Sequence, residues 1–192
     1  MLNNTQIPSS RVPVVFDDKT MTREWFRFFG NLYSFVFNPA HIQAISTSTQ
    51  TAAANTATAI TYSASVYADG FTFTAGDSKI YCTQSGTCQI SMSIQFGNTD
   101  TATVEDAAVW MRVNGVDVAN TATYTSVPVK HAGINGTLTL SVTMFQELIA
   151  GDYFELYWHN TNGTASIVTY PVGVTPVHPQ APGVIVTALQ VL

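Results

Sequence analysis

The chain has 192 residues, of which 10% are charged and 46% hydrophobic, and its formal net charge at pH 7 is −5. This length allows one well-buried core, or one domain plus an arm, without disulfides or a metal. The apolar content excludes a disordered chain, and the scarcity of Lys and Arg argues against nucleic-acid binding. No run of 18 apolar residues predicts a membrane span, and the first residues do not resemble a secretion signal. We therefore expect synthesis and assembly in a cytosol.

Threonine supplies much of the polarity, with 27 residues. Its β-branched side chain is stiff and suits the solvent face of a strand. Hydroxyl groups also cost far less to desolvate than charged groups. A surface of Thr, Ser and Asn with few charges therefore favours a protein that packs among copies of itself.

The N-terminal segment is predicted to be an extended arm followed by one helix. Two prolines favour extended backbone between residues 7 and 16. Apolar residues then follow the 3.6-residue helical period over residues 21–37. Thr20 or Thr22 can cap the start of this helix, and Pro39 ends it.

This helix is apolar on nearly every side, so it must be buried against some partner. It can pack on its own β region, or it can dock into another protein. We favour docking, because a polar Thr/Ala-rich stretch, residues 41–56, is predicted to be a linker between the arm (residues 1–40) and the β region. The predicted docking residues are Trp25, Phe26, Phe28, Phe29, Leu32, Arg11 and Arg23.

Residues 57–192 are predicted to form one antiparallel β domain, because the segment reads as strand after strand with no helix between. Asn114-Gly115 is a strong hairpin signal, and the apolar end of the chain, residues 183–192, is predicted to be a strand held inside a sheet. The predicted fold class is an all-β, antiparallel jelly-roll sandwich preceded by an extended arm and one short aromatic-rich helix. Apolar and polar residues alternate without interruption, as in strands with one buried face, over residues 88–96, 138–144 and 154–159.

Three segments of this region resemble the jelly-roll domain of the tumour necrosis factor and complement-globular-head class. They are the strand over residues 86–96, the Arg112-Val113-Asn114-Gly115 hairpin and the Leu148-Ile149-Ala150-Gly151-Asp152 turn. The chain departs from the class in having Cys88 where Tyr is usual, and in lacking a phenylalanine-rich last strand. The resemblance implies a homotrimer that packs about a threefold axis through aromatic strand faces.

The arm has a second resemblance. Arg11-Val12-Pro13, followed by Thr22-Arg23-Glu24-Trp25-Phe26, is similar to the N-terminal segment of certain tailed-bacteriophage virion proteins. This implies a structural component of a virion, a head decoration or cement protein or a fibre-type protein, assembled in the host cytoplasm. The arm would attach to other virion proteins of the capsid or tail, and the jelly roll would be displayed outward.

The residues that could carry chemistry do not form a recognisable motif, so we predict no enzyme, no cofactor and no metal site. Cys82 and Cys88 are interpreted as reduced thiols, with a disulfide across a hairpin as the alternative. Asp100, Glu105 and Asp106 could bind Ca²⁺, but we favour a solvated acidic loop. The four His residues have no ligand spacing among them: His41, His131, His159 and His178.

Two weaker alternatives remain. Glu147, Asp152 and Glu155 are close enough in sequence for glycoside hydrolysis, although Glu155 is predicted to lie on a strand surface and Asp152 in a turn. The jelly roll could instead recognise a host surface glycan as the tip of a tail fibre. Aromatic residues that could stack on sugars, although we favour their burial, are Tyr157, Trp158 and Tyr170.

Overall fold

A computed structural model of the chain describes residues 7–9, 11–15 and 20–191. The rest of the predicted arm, and Leu192 at the end of the predicted last strand, lie outside these residues. Among the described residues no helix is long and apolar enough to cross a membrane.

The described residues form one helix, α1 (Arg23–Phe37), and sixteen strands. The first eight strands are β1 (His41–Ser46), β2 (Gln50–Thr51), β3 (Thr58–Ala59), β4 (Ala64–Asp69), β5 (Phe71–Phe73), β6 (Ile80–Cys82), β7 (Gly86–Asn98) and β8 (Glu105–Val113). The other eight are β9 (Val116–Asp117), β10 (Thr123–Val127), β11 (Gly136–Leu148), β12 (Tyr153–Asn160), β13 (Ala165–Ile167), β14 (Gly173–Val174), β15 (Val177–His178) and β16 (Val184–Gln190).

The strands pair in two antiparallel sheets and a small β14–β15 hairpin. The first sheet has the order β4-β1-β16-β7-β11, and β13 and β2 extend it beside the end of β7. The second has the order β10-β8-β12-β6-β5, with β9 paired to β8 and β3 paired to β12. Eight of these strands, numbered first to eighth along the chain, have the order first-eighth-third-sixth in one sheet and second-seventh-fourth-fifth in the other; they are β1, β6, β7, β8, β10, β11, β12 and β16. The six-residue β4 adds an edge strand beside β1. This is the order of a jelly roll, and it confirms the predicted fold class.

The core lies between the two sheets and is filled by alternate side chains of their facing strands. Burial alternates along β7 and β16, as the predicted period of two requires. Trp158 of β12 is the largest fully buried side chain, and its ring centroid lies 5.8 Å from that of Phe96 on β7. These two residues pack against each other across the interface between the two sheets.

The predicted turns are confirmed. Asn114 and Gly115 connect β8 to β9 with φ angles of 52° and 79°, which Asn and Gly adopt at low cost. The Asp152 N–H donates to the Ile149 carbonyl at 2.8 Å in the turn before β12, and Gly151 has a φ of 99°. The last strand, β16, is held inside the first sheet between β7 and β1.

The predicted linker over residues 41–56 differs from the structure. Its first part is β1, which pairs with β16 on one edge and β4 on the other. Ile42 and Ala44 are fully buried, so the period of two in this segment places one face in the core. The Thr/Ala-rich composition that favoured a linker does not prevent a strand inside a sheet, and the sandwich begins at His41.

Candidate functional site

The described part of the arm folds back onto the start of α1. Thr22 occupies the N-cap position, because its carbonyl accepts the first helical hydrogen bond, from the Phe26 N–H at 2.9 Å. Its hydroxyl donates to the Pro13 carbonyl at 2.9 Å, and its N–H donates to the Val14 carbonyl at 3.1 Å. Thr22 is buried by these contacts, and the predicted cap therefore also fixes the arm to the helix.

Trp25 continues this contact along the helix. Its Nε1 donates to the Val12 carbonyl at 3.1 Å. Its ring packs edge-on against Phe28 at 5.7 Å and lies 5.6 Å from Phe29. Trp25 and Phe28 are both half-buried, and of these two predicted docking residues Trp25 is bonded to the arm.

The other predicted docking residues are exposed. Phe26, Phe29 and Leu32 are 69%, 43% and 40% exposed, and Tyr33 and Val36 are 65% and 55% exposed. Spacings of three and four residues place these five on one side of α1, and we call them the apolar stripe. The sequence prediction named Phe26, Phe29 and Leu32 of this stripe but not Tyr33 or Val36. Both predicted arginines, Arg11 and Arg23, are also exposed.

Only residues 38–40 separate α1 from the sandwich. The Asn38 Nδ2 donates to Asp69 Oδ2 of β4 at 2.6 Å, and the Ala40 carbonyl accepts from the Gln190 N–H of β16 at 2.8 Å. Despite this short connection the apolar stripe stays exposed, so the β domain does not cover it. The five stripe residues are therefore not packed on the chain's own core.

The aromatic residues proposed to stack on sugars lie in different environments. Trp158 is fully buried in the core, so it cannot contact a ligand. Tyr157 lies on the outward face of the second sheet, where the Arg112 guanidinium is 3.8 Å from its ring centroid. Tyr170 is 39% exposed, and its backbone forms an isolated antiparallel β-bridge with Ala181.

The three acidic residues proposed as a calcium loop have separate partners. Asp100 accepts hydrogen bonds from the backbone N–H groups of Ala102 and Thr103, and Asp106 accepts one from the Ser126 hydroxyl. Glu105 is fully buried at the start of β8. Among the described residues no group of such side chains could hold a metal ion. The solvated-loop interpretation is wrong for Glu105, whereas Asp106 is exposed.

Glu105 fixes the loop that follows β12. Its carboxylate accepts hydrogen bonds from the Asn162 N–H at 2.7 Å and from the Thr164 hydroxyl at 2.5 Å. Burial acts to raise the pKa of Glu105, but these hydrogen bonds together with others from Thr164 and Thr161 hold it below its ordinary value of 4.5. Glu105 is therefore an ionised, fully bonded buried carboxylate.

Glu105→Gln is expected to lower the free energy of unfolding by about 1–3 kcal/mol at neutral pH, because an amide cannot accept all of these hydrogen bonds. A depressed pKa in the folded state gives stability that is present above the unfolded value and is lost as the pH falls through the folded value. Urea denaturation should therefore show the two proteins converging below pH 4.5. The matched control is Glu147→Gln, an exposed carboxylate, and an equal loss there would contradict this role.

The carboxylates considered for glycoside hydrolysis do not form a pair. Glu147 is exposed on β11 of the first sheet, whereas Glu155 is on β12 of the second. The surface position predicted for Glu155 is wrong: it is 4% exposed and accepts the Ser78 hydroxyl at 2.5 Å. Burial, and secondarily the charge of Glu155, raises the pKa of Tyr62. Asp152 lies in the predicted turn and accepts the Ile149 N–H at 2.8 Å.

The two cysteines are free thiols, in agreement with the favoured interpretation. Cys82 of β6 and Cys88 of β7 are each 1% exposed, and they belong to different sheets. Their mutual hydrogen bond lowers the pKa of Cys82 and raises that of Cys88. They contribute to the contact between the sheets.

The described residues thus offer two surfaces for recognition: the apolar stripe of α1 and the aromatic outward face of the second sheet. No protein-family model matches the chain, and no curated protein is significantly similar to it.

Proposed function

We propose that this protein is a non-enzymatic structural component of a tailed-bacteriophage virion. It would be a head decoration or cement protein, or a fibre-type protein, assembled with the particle in the host cytoplasm. The resemblance of the arm to virion proteins supports the class of particle. The observation that carries the attachment mechanism is the apolar stripe, which stays exposed beside a complete sandwich.

The proposed partner of the stripe is another virion protein of the capsid or tail. Aromatic side chains dominate the energy of protein interfaces, and the stripe presents two Phe residues and one Tyr. At about 25 cal/mol per Å², burying several hundred Å² contributes on the order of several kcal/mol per arm. Three arms on one oligomer multiply this effect through their high local concentration.

A homotrimer is the proposed oligomer, and its support lies on β11. Among the described residues β11 pairs only with β7, so one edge of this 13-residue strand is unpaired. Its inward side chains are only half-buried, although they face the core; these are Leu138, Leu140, Val142 and Met144. Its outward side chains from Thr137 to Thr143 are hydroxyl-bearing and uncharged. Long uncovered edges promote association, so a neighbouring copy is the proposed cover.

Deletion of residues 1–38 is expected to abolish attachment and to leave the sandwich folded, because β1 and all later strands are retained. Purified particles lacking the protein are mixed with the full-length or shortened chain, and the bound fraction is measured by sedimentation. Circular dichroism and the thermal midpoint report the fold.

A matched pair of substitutions separates the stripe from general surface effects. Phe26 on α1 and Val116 on β9 are both 69% exposed. Phe26→Asp is expected to reduce particle binding by about tenfold or more, since a carboxylate would be buried in the docked state. Val116→Asp is expected to bind normally. Normal binding by the shortened chain would reject α1 as the anchor.

A further inference from the structure

The outward face of the second sheet carries a groove whose base is one row of side chains across three strands. Tyr124 of β10 and His159 of β12 are each paired in register with Ala108 of β8. Because Ala108 has only a methyl group, the two rings meet above it with centroids 6.3 Å apart, and Ala108 is 1% exposed. Trp110, two residues along β8, has its ring 6.0 Å from that of His159.

The opposite wall is the segment between β9 and β10, residues 118–122. The Val118 N–H donates to the Met111 carbonyl at 3.0 Å, and the Thr121 hydroxyl accepts the Met111 N–H at 3.1 Å. These bonds hold the segment against β8. The space between it and the aromatic row is about 380 Å³, which is within the range of small-ligand sites.

The charge in this groove is balanced. Asp117 is the charged side chain of its lining, and Oδ1 accepts hydrogen bonds from Arg112 Nε at 2.5 Å and from Trp110 Nε1 at 2.6 Å. Arg112 in turn stacks on Tyr157. This chain of contacts fixes the plane of the Trp110 ring, and it leaves no uncompensated charge to attract an ionic ligand.

The lining therefore combines fixed aromatic rings with uncharged or neutralised polar groups. The face of an aromatic ring is negative, and it attracts the weakly positive C–H hydrogens on one side of a sugar ring. The amide of Asn120 and the Tyr124 hydroxyl are placed in the same lining and can bond to sugar hydroxyls. A pyranose, which has an apolar face and a polar rim, fits both properties better than a purely apolar peptide or a charged ligand.

We infer that the groove formed by Trp110, Tyr124, His159 and residues 117–122 binds one or two pyranose units of a neutral glycan. The proposed site does not include Trp158, which is buried in the core. It lies on the outward face of the second sheet. It does not depend on virion attachment, because α1 contributes nothing to the groove.

The test uses the full-length chain on an array of immobilised neutral oligosaccharides of glucose, galactose, mannose and N-acetylglucosamine. The best binder is then titrated by calorimetry. Tyr124→Ala is expected to weaken binding about tenfold, because a ring that is 72% exposed supplies stacking without supporting the core. Asn120→Gly is expected to weaken it about fivefold, and glycine tolerates the φ of 63° at this position.

Tyr67→Ala is the matched control, since Tyr67 is 64% exposed on β4 of the first sheet. Full affinity in Tyr67→Ala together with loss in Tyr124→Ala supports the site. The inference is overturned if no neutral glycan is retained, if only anionic glycans bind, or if both tyrosine variants lose affinity equally. A change of oligomeric mass in Tyr124→Ala without glycan binding by the parent protein would also overturn it, by identifying the groove as a subunit contact.

Discussion

Ser141→Lys is expected to convert the proposed homotrimer into monomers. Ser141 is exposed on the outward face of β11, whose free edge and half-buried inward side chains are the proposed subunit contact. A lysine there must lose its hydration when a neighbouring copy covers the strand. In a symmetric trimer each of the three subunit contacts would bury one such charge. Lysine on an edge strand is also the device by which natural sheets prevent association. Light scattering should show a threefold fall in mass with an unchanged circular dichroism spectrum.

The first sheet provides a matched control on its other edge. Ser65 is exposed on β4, which pairs only with β1 among the described residues. Ser65→Lys makes the same chemical change and is expected to leave the mass at three chains. A monomeric parent protein would refute the proposed trimer, and equal dissociation in both variants would show that β11 is not its specific contact.

Trp158→Ala is expected to cost about 3–5 kcal/mol of unfolding free energy, which is the largest stability effect we expect for a single side chain of this core. The residue is fully buried and packs on Phe96 of the opposite sheet, so its removal leaves a cavity between the two sheets. Urea denaturation at a fixed protein concentration measures the loss, because subunit association also contributes to stability.

Trp158→Phe separates packing from hydrogen bonding at this position. The Trp158 Nε1 is buried without a hydrogen-bond partner among the described residues. Phenylalanine keeps most of the ring volume and removes this unpaired donor, so it is expected to cost less than half as much as alanine. Equal losses in the two variants would contradict a role based on packing volume.

The local elements could be predicted from the sequence because their signals are local. The helical period predicted α1, and the alternation over residues 88–96 and 138–144 predicted β7 and β11. Asn114-Gly115 predicted the hairpin, since few other residues adopt its backbone conformation. The jelly-roll order followed from the number of strands and the resemblance rather than from any single pattern.

Tertiary contacts account for what the sequence did not reveal. Glu155 has the spacing of a surface residue on β12, but the segment containing Tyr62 and Ser78 covers it, and the sequence gives no signal of this distant contact. The row of Tyr124, Ala108 and His159 likewise depends on the register of three strands. For β1 the alternating pattern is present, but the Thr/Ala-rich composition of residues 41–56 favoured a linker.

The position of β16 between β7 and β1 determines when the sandwich can form during synthesis. The edges of β7 and β1 that pair with β16 stay unpaired until residues 184–190 have emerged from the ribosome. By then β1 has been outside the ribosome for more than a hundred residues of synthesis. Pairing strands so distant along the chain is slow, because a long loop must close before its contacts contribute. The apolar helix therefore leaves the ribosome well before the sandwich that follows it is complete.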